Sequence, residues 1–319
     1  MGLVIGVDIG GTKVAAAVVD EDGEMIDKMR VDTPAATAGS VNDAISDVVW
    51  KLRERHDVEA VGMGAPGFVS ADRSTVLFTP NLPWRAEPLG AEMSKRMRIP
   101  VVVENDANCA TWAEVRFGAA KGERHVVVLT IGTGIGGGIV VGGVLMRGES
   151  GLAAEIGHMN VVIEGGLRCG CGNRGCWEQY GSGRALVRDA RDFARHSPAL
   201  SRRMLELAGG DPDKITGPEV TQAAREGDDA ALELFRVFGG SIGYGMADLA
   251  AILDPGMFVI GGGVADAGEL LREPVEKAYL ERLTGRGQRP AAKVVMARLG
   301  GEAGIVGAAD LARQPHSGV

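Results

Sequence analysis

The sequence predicts an α/β fold of two domains. Three observations carry that prediction. Apolar runs of strand length alternate with stretches of helical periodicity from end to end, which implies mixed sheets covered by helices. A strand, glycine turn, strand pattern occurs twice, once at the start of the chain and again near residue 126. The chain has 319 residues, beyond the roughly 250–300 at which single cores stop growing and chains divide.

The first domain opens with a strand over residues 3–8, a glycine turn, and a second strand over 14–19, after which Asp22-Gly23 marks a hairpin. Val41, Ala44, Ile45, Val48, Val49 and Leu52 recur at helical spacing, so 41–56 reads as a helix. Residues 58–63 form a short apolar strand that runs into Gly64-Ala65-Pro66-Gly67. The strand over 101–103 delivers Glu104, Asn105 and Asp106 at its end, and a helix follows through Phe117. The pattern then restarts with a strand over 126–131, a glycine turn over 132–138 and a strand over 139–141. Helices are expected over 185–207 and 219–253 with a loop near 209–213. A strand over 257–260 ends in Gly261, Gly262 and Gly263, and a last strand covers 293–297. The helix from 302 returns to the first domain. The expected division is therefore 1–115 plus a C-terminal helix 302–319 for the smaller domain, and 116–301 for the larger.

Composition narrows the function. Net charge is −8 and the basic residues form no stripe, which argues against a nucleic-acid partner. Anionic phosphates then have to be held by local backbone amides and a metal, because the chain offers no global positive field. The sequence lacks an uncharged apolar run of about 18 residues, so no membrane helix is expected. It also begins directly on a strand, so no leader is expected and the chain reads as cytoplasmic.

Asp8, Gly10, Gly11, Thr12 and Lys13 follow a strand. Glycines there admit a ligand close to the backbone, successive amides form an anion-binding nest, and Asp8 is placed to orient water on Mg²⁺. Gly132, Thr133 and Gly134 repeat the arrangement. Both 132–137 and 62–67 match the dinucleotide spacing G-x-G-x-x-G, but that fingerprint requires a helix right after the glycines, and neither place offers one. A phosphate-cradling hairpin fits 132–137 better. Gly261, Gly262 and Gly263 can let a nucleoside lie against backbone.

His158, Cys169, Cys171 and Cys176 bring one imidazole and three thiols into a short segment laced with glycine. Three cysteines and a histidine make a closed tetrahedral zinc site with no position left for catalysis. The fourth cysteine, Cys109, stands apart. Glu155 and Glu178 flank the cluster and can accept hydrogen bonds from a polyol.

In chain order, Asp8-x-Gly-Gly-Thr-Lys13, Glu104-Asn-Asp-Ala-Asn108, Gly132-Thr-Gly-x-Gly-Gly137, Glu155-x-x-His158, the Cys169-x-Cys171-x4-Cys176 knuckle with Glu178, and Gly261-Gly-Gly263 together resemble the ROK family (repressors, uncharacterised reading frames and sugar kinases). The similarity spans essentially the whole chain and is greatest to the bacterial ATP-dependent glucokinases. It implies a two-domain actin/hexokinase-like (ribonuclease H-like) fold with a cleft between domains. It implies transfer of the γ-phosphoryl group of ATP to the 6-hydroxyl of glucose, with Asp106 as base. Asn105, Glu155, His158 and Glu178, with Gly67 and Asn81, would bind the sugar. It also implies Mg-ATP, one structural zinc, and a homodimer or homotetramer. Two alternatives stand beside this reading: a ROK kinase of fructose, mannose or an N-acyl amino sugar, and a non-catalytic sugar-sensing regulator. The regulators carry an N-terminal helix-turn-helix, which a phosphate loop starting at residue 8 leaves no room for.

Overall fold

A computed structural model describes residues 2–34 and 37–314. The described residues pack into two compact units. One comprises Met1–Arg124, Gly138–Ala154 and Arg298–Val319, the other His125–Gly137 and Glu155–Ala297. This division differs from the expected one at residues 116–124, 138–154 and 298–301, all of which pack with the first unit.

In chain order the elements are β1 (Leu3–Ile9), β2 (Lys13–Val19), β3 (Met25–Asp32), α1 (Ala38–Arg53), β4 (Val58–Ala65), β5 (Phe68–Val69), β6 (Val76–Phe78), β7 (Arg85–Glu87), α2 (Leu89–Met97), β8 (Val101–Asn105) and α3 (Asp106–Arg116). They continue as β9 (Val126–Ile131), β10 (Ile135–Val141), β11 (Val144–Leu145), α4 (Glu178–Gly181), α5 (Gly183–His196), α6 (Arg202–Leu207), α7 (Gly217–Arg225), α8 (Asp229–Leu253), β12 (Met257–Gly261), α9 (Glu269–Arg282), β13 (Lys293–Met296) and α10 (Ala303–Ala312).

The first sheet runs β3-β2-β1-β4-β8, with β1, β4 and β8 parallel. One face buries Ile5, Val7, Val14 and Val18 against Val41, Ile45, Val48 and Leu52 of α1 and Met93 of α2. On the other face α10 lies directly on the backbone. Gly6 and Gly62 are register partners, and a Cβ at either would strike a carbonyl of α10, Ile305 O or Ala308 O. Their lack of a side chain sets the height of α10, which in turn packs on α3 through Gly307 against the Cys109 carbonyl. The start of α3 is thereby fixed over the ends of β1 and β4.

The second sheet runs β11-β10-β9-β12-β13, and the division between units falls inside β10. β9, β12 and β13 are parallel. In the second unit α8 and α9 cross closely, because Gly239 and Gly243 of α8 leave space for Pro274 and Val275 of α9.

The α/β expectation holds, and several element limits need correction. The helix expected over 185–207 is two helices, because Pro198 has no N–H to give and keeps Ser197 out of helical backbone (φ −137°, ψ 59°). The helix expected over 219–253 breaks at Gly227 (φ 84°), after which the Asp228 side chain caps α8 by accepting from the Ala231 amide. The glycine turn at 132–138 is shorter than expected. Strand resumes at Ile135, and Gly137 and Gly138 are sheet residues whose smallness admits Ile156 and Thr111. The final helix covers Ala303–Ala312, and residues 315–319 of the expected 302–319 lie outside the described residues.

Candidate active site and thiol cluster

Asp106 is the first residue of α3, and Asn105 is its N-cap. The Asn105 Oδ1 accepts from the Asn108 amide at 3.0 Å, and Asp106 Oδ1 accepts from the Ala107 amide at 2.9 Å. A carboxylate in the first turn is favoured as the anion by the helix dipole. The Asn105 Nδ2 donates to the Gly67 carbonyl at 3.0 Å, which leaves each side of the amide one further bond to make. Gly67 has φ 93°, and a Cβ there would run into the Phe78 carbonyl. Asn105, Asp106 and Gly67 are thus one cluster. Cys109 lies buried beneath it. Burial, and then the charges of Glu104, Asp106 and Asp8, push its thiol well up, so it stays protonated.

The first hairpin joins β1 to β2. The Gly10 amide donates to the Lys13 carbonyl at 2.8 Å, and Thr33 Oγ1 donates to the Gly10 carbonyl at 2.8 Å. Gly11, Thr12 and Lys13 are exposed. A Cβ on Gly11 would come 3.3 Å from Cβ of Asn81, so Asn81 borders this turn. Asp8 sits at the base of the hairpin beside Gly304 of α10, and burial raises its carboxyl above the usual range. A carboxylate at the base of a glycine turn can orient water on a hydrated cation.

In the second unit the hairpin between β9 and β10 is closed by the Gly132 amide on the Gly134 carbonyl at 3.0 Å, with Thr133 exposed. The start of α5 docks on it: the Gly183 amide donates to the Gly132 carbonyl at 2.8 Å, and Ser182 caps α5 by accepting from the Ala185 amide. A Cβ on Gly183 would meet Val264 at 2.9 Å, and one on Gly262 would meet the Ile131 backbone at 2.5 Å. Gly262 itself has φ 84°. The glycines after β12, the hairpin and the N-terminus of α5 therefore converge.

His158, Cys169, Cys171 and Cys176 place their ligand atoms within 4.8 Å of one another. Tetrahedral zinc, with Zn–S about 2.3 Å and Zn–N about 2.0–2.1 Å, sets its ligand atoms about 3.5–3.8 Å apart. The observed separations are 3.6 Å for Cys171 Sγ to Cys176 Sγ and 3.6 Å for Cys169 Sγ to His158 Nδ1. The donor set fits zinc. Burial and hydrogen bonds with Cys171 and Cys169 push the Cys176 thiol up to about 12, a cost that a divalent cation reverses. Because Nδ1 faces the cluster, Nε2 is left as the outward nitrogen of His158.

Glu178 lies beside this cluster. Its Oε1 accepts from Cys169 Sγ at 3.8 Å, Gln179 Nε2 at 3.4 Å and Arg184 Nη2 at 3.4 Å. Its Oε2 faces Gly134, where an added Cβ would strike it. Glu155 is close enough to feel both neighbours: desolvation raises its carboxyl, His158 opposes the shift, and Glu178 adds to it. Glu155, His158 and Glu178 thus form one polar group. The sequence reading missed the α5 N-terminus here, although Ser182 before a periodic segment is an N-cap signal. It also missed Arg73 and Arg147, which pair with Glu104 and carry no spacing signal.

The chain resembles proteins of known activity throughout. The profile described as "ROK family" matches residues 4–315. A glucokinase of Streptomyces coelicolor is 50% identical over 315 residues, covering 99% of each chain. A solved ROK family glucokinase from Streptomyces griseus, in complex with glucose and AMPPNP, is 53% identical, with a TM-score of 0.89 over 98% of this chain and 100% of that one. A ROK hexokinase from Thermus thermophilus is 37% identical, with a TM-score of 0.81 over 97% of both.

Proposed function

The chain belongs to the ROK family, and we propose that it is a glucokinase that transfers the γ-phosphoryl group of ATP to the 6-hydroxyl of glucose. Its two α/β units have the actin/hexokinase-like fold of the sugar kinases it resembles. The observation that carries the reading is the full-length likeness to a glucokinase solved with glucose and AMPPNP, taken with an Asp106 held at the first turn of α3.

Asp106 takes the proton of the 6-hydroxyl. The sugar oxygen bonds to the γ-phosphorus as the bond to the bridging oxygen breaks, and ADP leaves. The transition state is loose, so positioning and charge neutralisation dominate. Amides of the two hairpins, with Thr12 and Thr133, hold phosphate, and the glycines after β12 flank the nucleoside. Asp8 would orient water on Mg²⁺, which supplies charge neutralisation at the phosphates. By the family resemblance, Asn105, Gly67 and Asn81 of the first unit and Glu155, His158 and Glu178 of the second would bind sugar hydroxyls. His158, Cys169, Cys171 and Cys176 would hold one structural zinc two residues before Glu178, and His158, with Nδ1 toward the thiols, would keep Nε2 as a donor for a sugar hydroxyl.

Among the described residues no helix is long and apolar enough to cross a membrane. Use of ATP and four cysteines without a disulfide favour the cytoplasm, and the family resemblance implies a homodimer or homotetramer. The test is a coupled ADP-release assay over glucose, fructose, mannose and N-acetylmannosamine. Glucose is expected to give the highest kcat/KM. A higher value for another sugar reassigns the substrate, and sugar binding without turnover of any sugar makes the chain a sensor.

A further inference from the structure

Glu104 is the penultimate residue of β8, the strand that delivers Asp106, and it is buried, with 4% of its surface exposed. Its Oε1 accepts from the Asn105 amide at 3.1 Å and from Asn108 Nδ2 at 3.0 Å. The Asn108 amide in turn donates to Asn105 Oδ1 at 3.0 Å. Glu104, Asn105 and Asn108 therefore close a ring of hydrogen bonds around the backbone of Asp106. Oε2 is the other anchor. It takes Arg147 Nε at 2.6 Å and lies 3.5 Å from Arg73 Nε. Arg73 is itself held rigidly: its Nη2 donates to the Leu311 carbonyl at 3.0 Å, and its own carbonyl accepts from Val103 at 2.9 Å. It also occupies left-handed backbone at φ 59°, a strain that persists only where the surroundings impose it.

We propose that Glu104 is a positioning residue for the base, and that Arg147 holds Glu104 in place. The inference rests on Asp106 being that base. An apolar pair of the same volume would stabilise this spot as well as a buried ion pair does. What the charges add is direction. With Arg147 bonded at one oxygen, the carboxylate cannot rotate, so the other oxygen stays on Asn105 and Asn108, and the Asp106 carboxylate stays aimed. Arg147 comes from the segment after β11, which packs with the first unit, so a residue distant in sequence sets the register of the catalytic turn.

The experiment compares Arg147→Met, Arg147→Lys and Asn108→Ala with the parent in the full chain, reading kcat, KM for each substrate and Tm. Arg147→Met is expected to lower kcat about 10- to 100-fold, the cost of misplacing a reacting group by about an ångström, with KM for ATP within about twofold of the parent. Arg147→Lys should recover much of kcat, since an ammonium can still pair with Oε2. Asn108→Ala opens the ring without touching the ion pair and should show the same split, which keeps the test alive if Arg147→Met fails to fold. A staple without a positioning role would lower Tm and leave kcat unchanged well below Tm. In Arg147→Met and Asn108→Ala, a kcat within about twofold of the parent overturns the inference and leaves the proposed function standing. If the parent turns over another hexose, the same split is read with that sugar. If it turns over none, the role of Asp106 falls, and this inference falls with it.

Discussion

Gly134→Ala is the substitution that tests whether Glu178, packed on the second hairpin, meets the sugar. Gly134 belongs to the hairpin assigned to phosphate, so a change there is expected to affect ATP. The structure adds a second consequence. An alanine Cβ would overlap Oε2 of Glu178, and the backbone at Gly134 is not among the positive-φ glycines, so alanine itself is not strained there. The carboxylate must therefore move by about an ångström or more to restore van der Waals separation. It can do so cheaply, because its protein contacts gather on Oε1 and lie at 3.4–3.8 Å. The free oxygen, Oε2, is the one available to a sugar hydroxyl. Loss of a hydrogen bond to a charged acceptor costs about 1.5–3 kcal/mol, so the glucose Kd should rise about 10- to 150-fold. Gly11→Ala is the control, since its Cβ comes no nearer than 3.3 Å to Asn81. The assay is calorimetric binding of glucose without nucleotide, and of ADP without sugar, to both variants. A Gly134→Ala protein that binds glucose as tightly as the parent would refute Glu178 as a sugar contact.

Three further outcomes are expected. Asp106→Asn keeps the shape of the α3 start but cannot take a proton, so kcat should fall about 10²- to 10⁴-fold with glucose affinity changed only a few-fold, read by single-turnover kinetics. Cys171→Ala should lose zinc, measured by elemental analysis, and weaken glucose binding more than ATP binding on the same sample. Asp8→Asn should raise Tm at pH 7 while abolishing Mg-ATP turnover. Burial raises the Asp8 carboxyl, so the folded state holds this proton more tightly than the unfolded chain, and stability is lost as pH rises from the unfolded value through the raised one. Asparagine removes that loss, so its gain in Tm should shrink through about pH 4 and vanish below about pH 3, where the aspartate is neutral in both states.

What could be read from the sequence follows from how local the signals are. β1, β2 and β9 are apolar runs bounded by glycine, and they lie where the pattern puts them. β3 is announced only by its Asp22-Gly23 turn and not by its own pattern, because every second residue of MIDKMRVD is exposed and its alternation is broken by charged side chains. Pro198 and Gly227 broke helices whose apolar spacing continued past them. The thiol cluster was legible because its ligands crowd into one segment. Glu104 and Arg147 are 43 positions apart, and Gly134 meets Glu178 only through the packing of the second unit. No period or motif connects such pairs, so only the fold reveals them.

The same packing explains why zinc loss should reach the sugar before the nucleotide. Glu178 opens α4, which has four residues, too few to hold a helix without tertiary support. Its support comes from both sides. Trp177 is fully buried, with Nε1 donating to the Ser241 carbonyl at 2.8 Å and its ring over Gly245 of α8. Cys176, one residue earlier, is tied to the cluster. A zinc ion would tie Cys169, Cys171 and Cys176 to His158, and on its loss the segment would keep only backbone hydrogen bonds such as that from the Cys169 amide to the Asn173 carbonyl at 2.9 Å. The Trp177 anchor remains, but the tie of Cys176 to the cluster does not. The hairpin of Gly132 and Gly134 has separate moorings, in the β9–β10 turn and the capped start of α5. A metal-free chain should therefore keep a phosphate-binding hairpin while its sugar-binding carboxylate drifts, and the two affinities should part company.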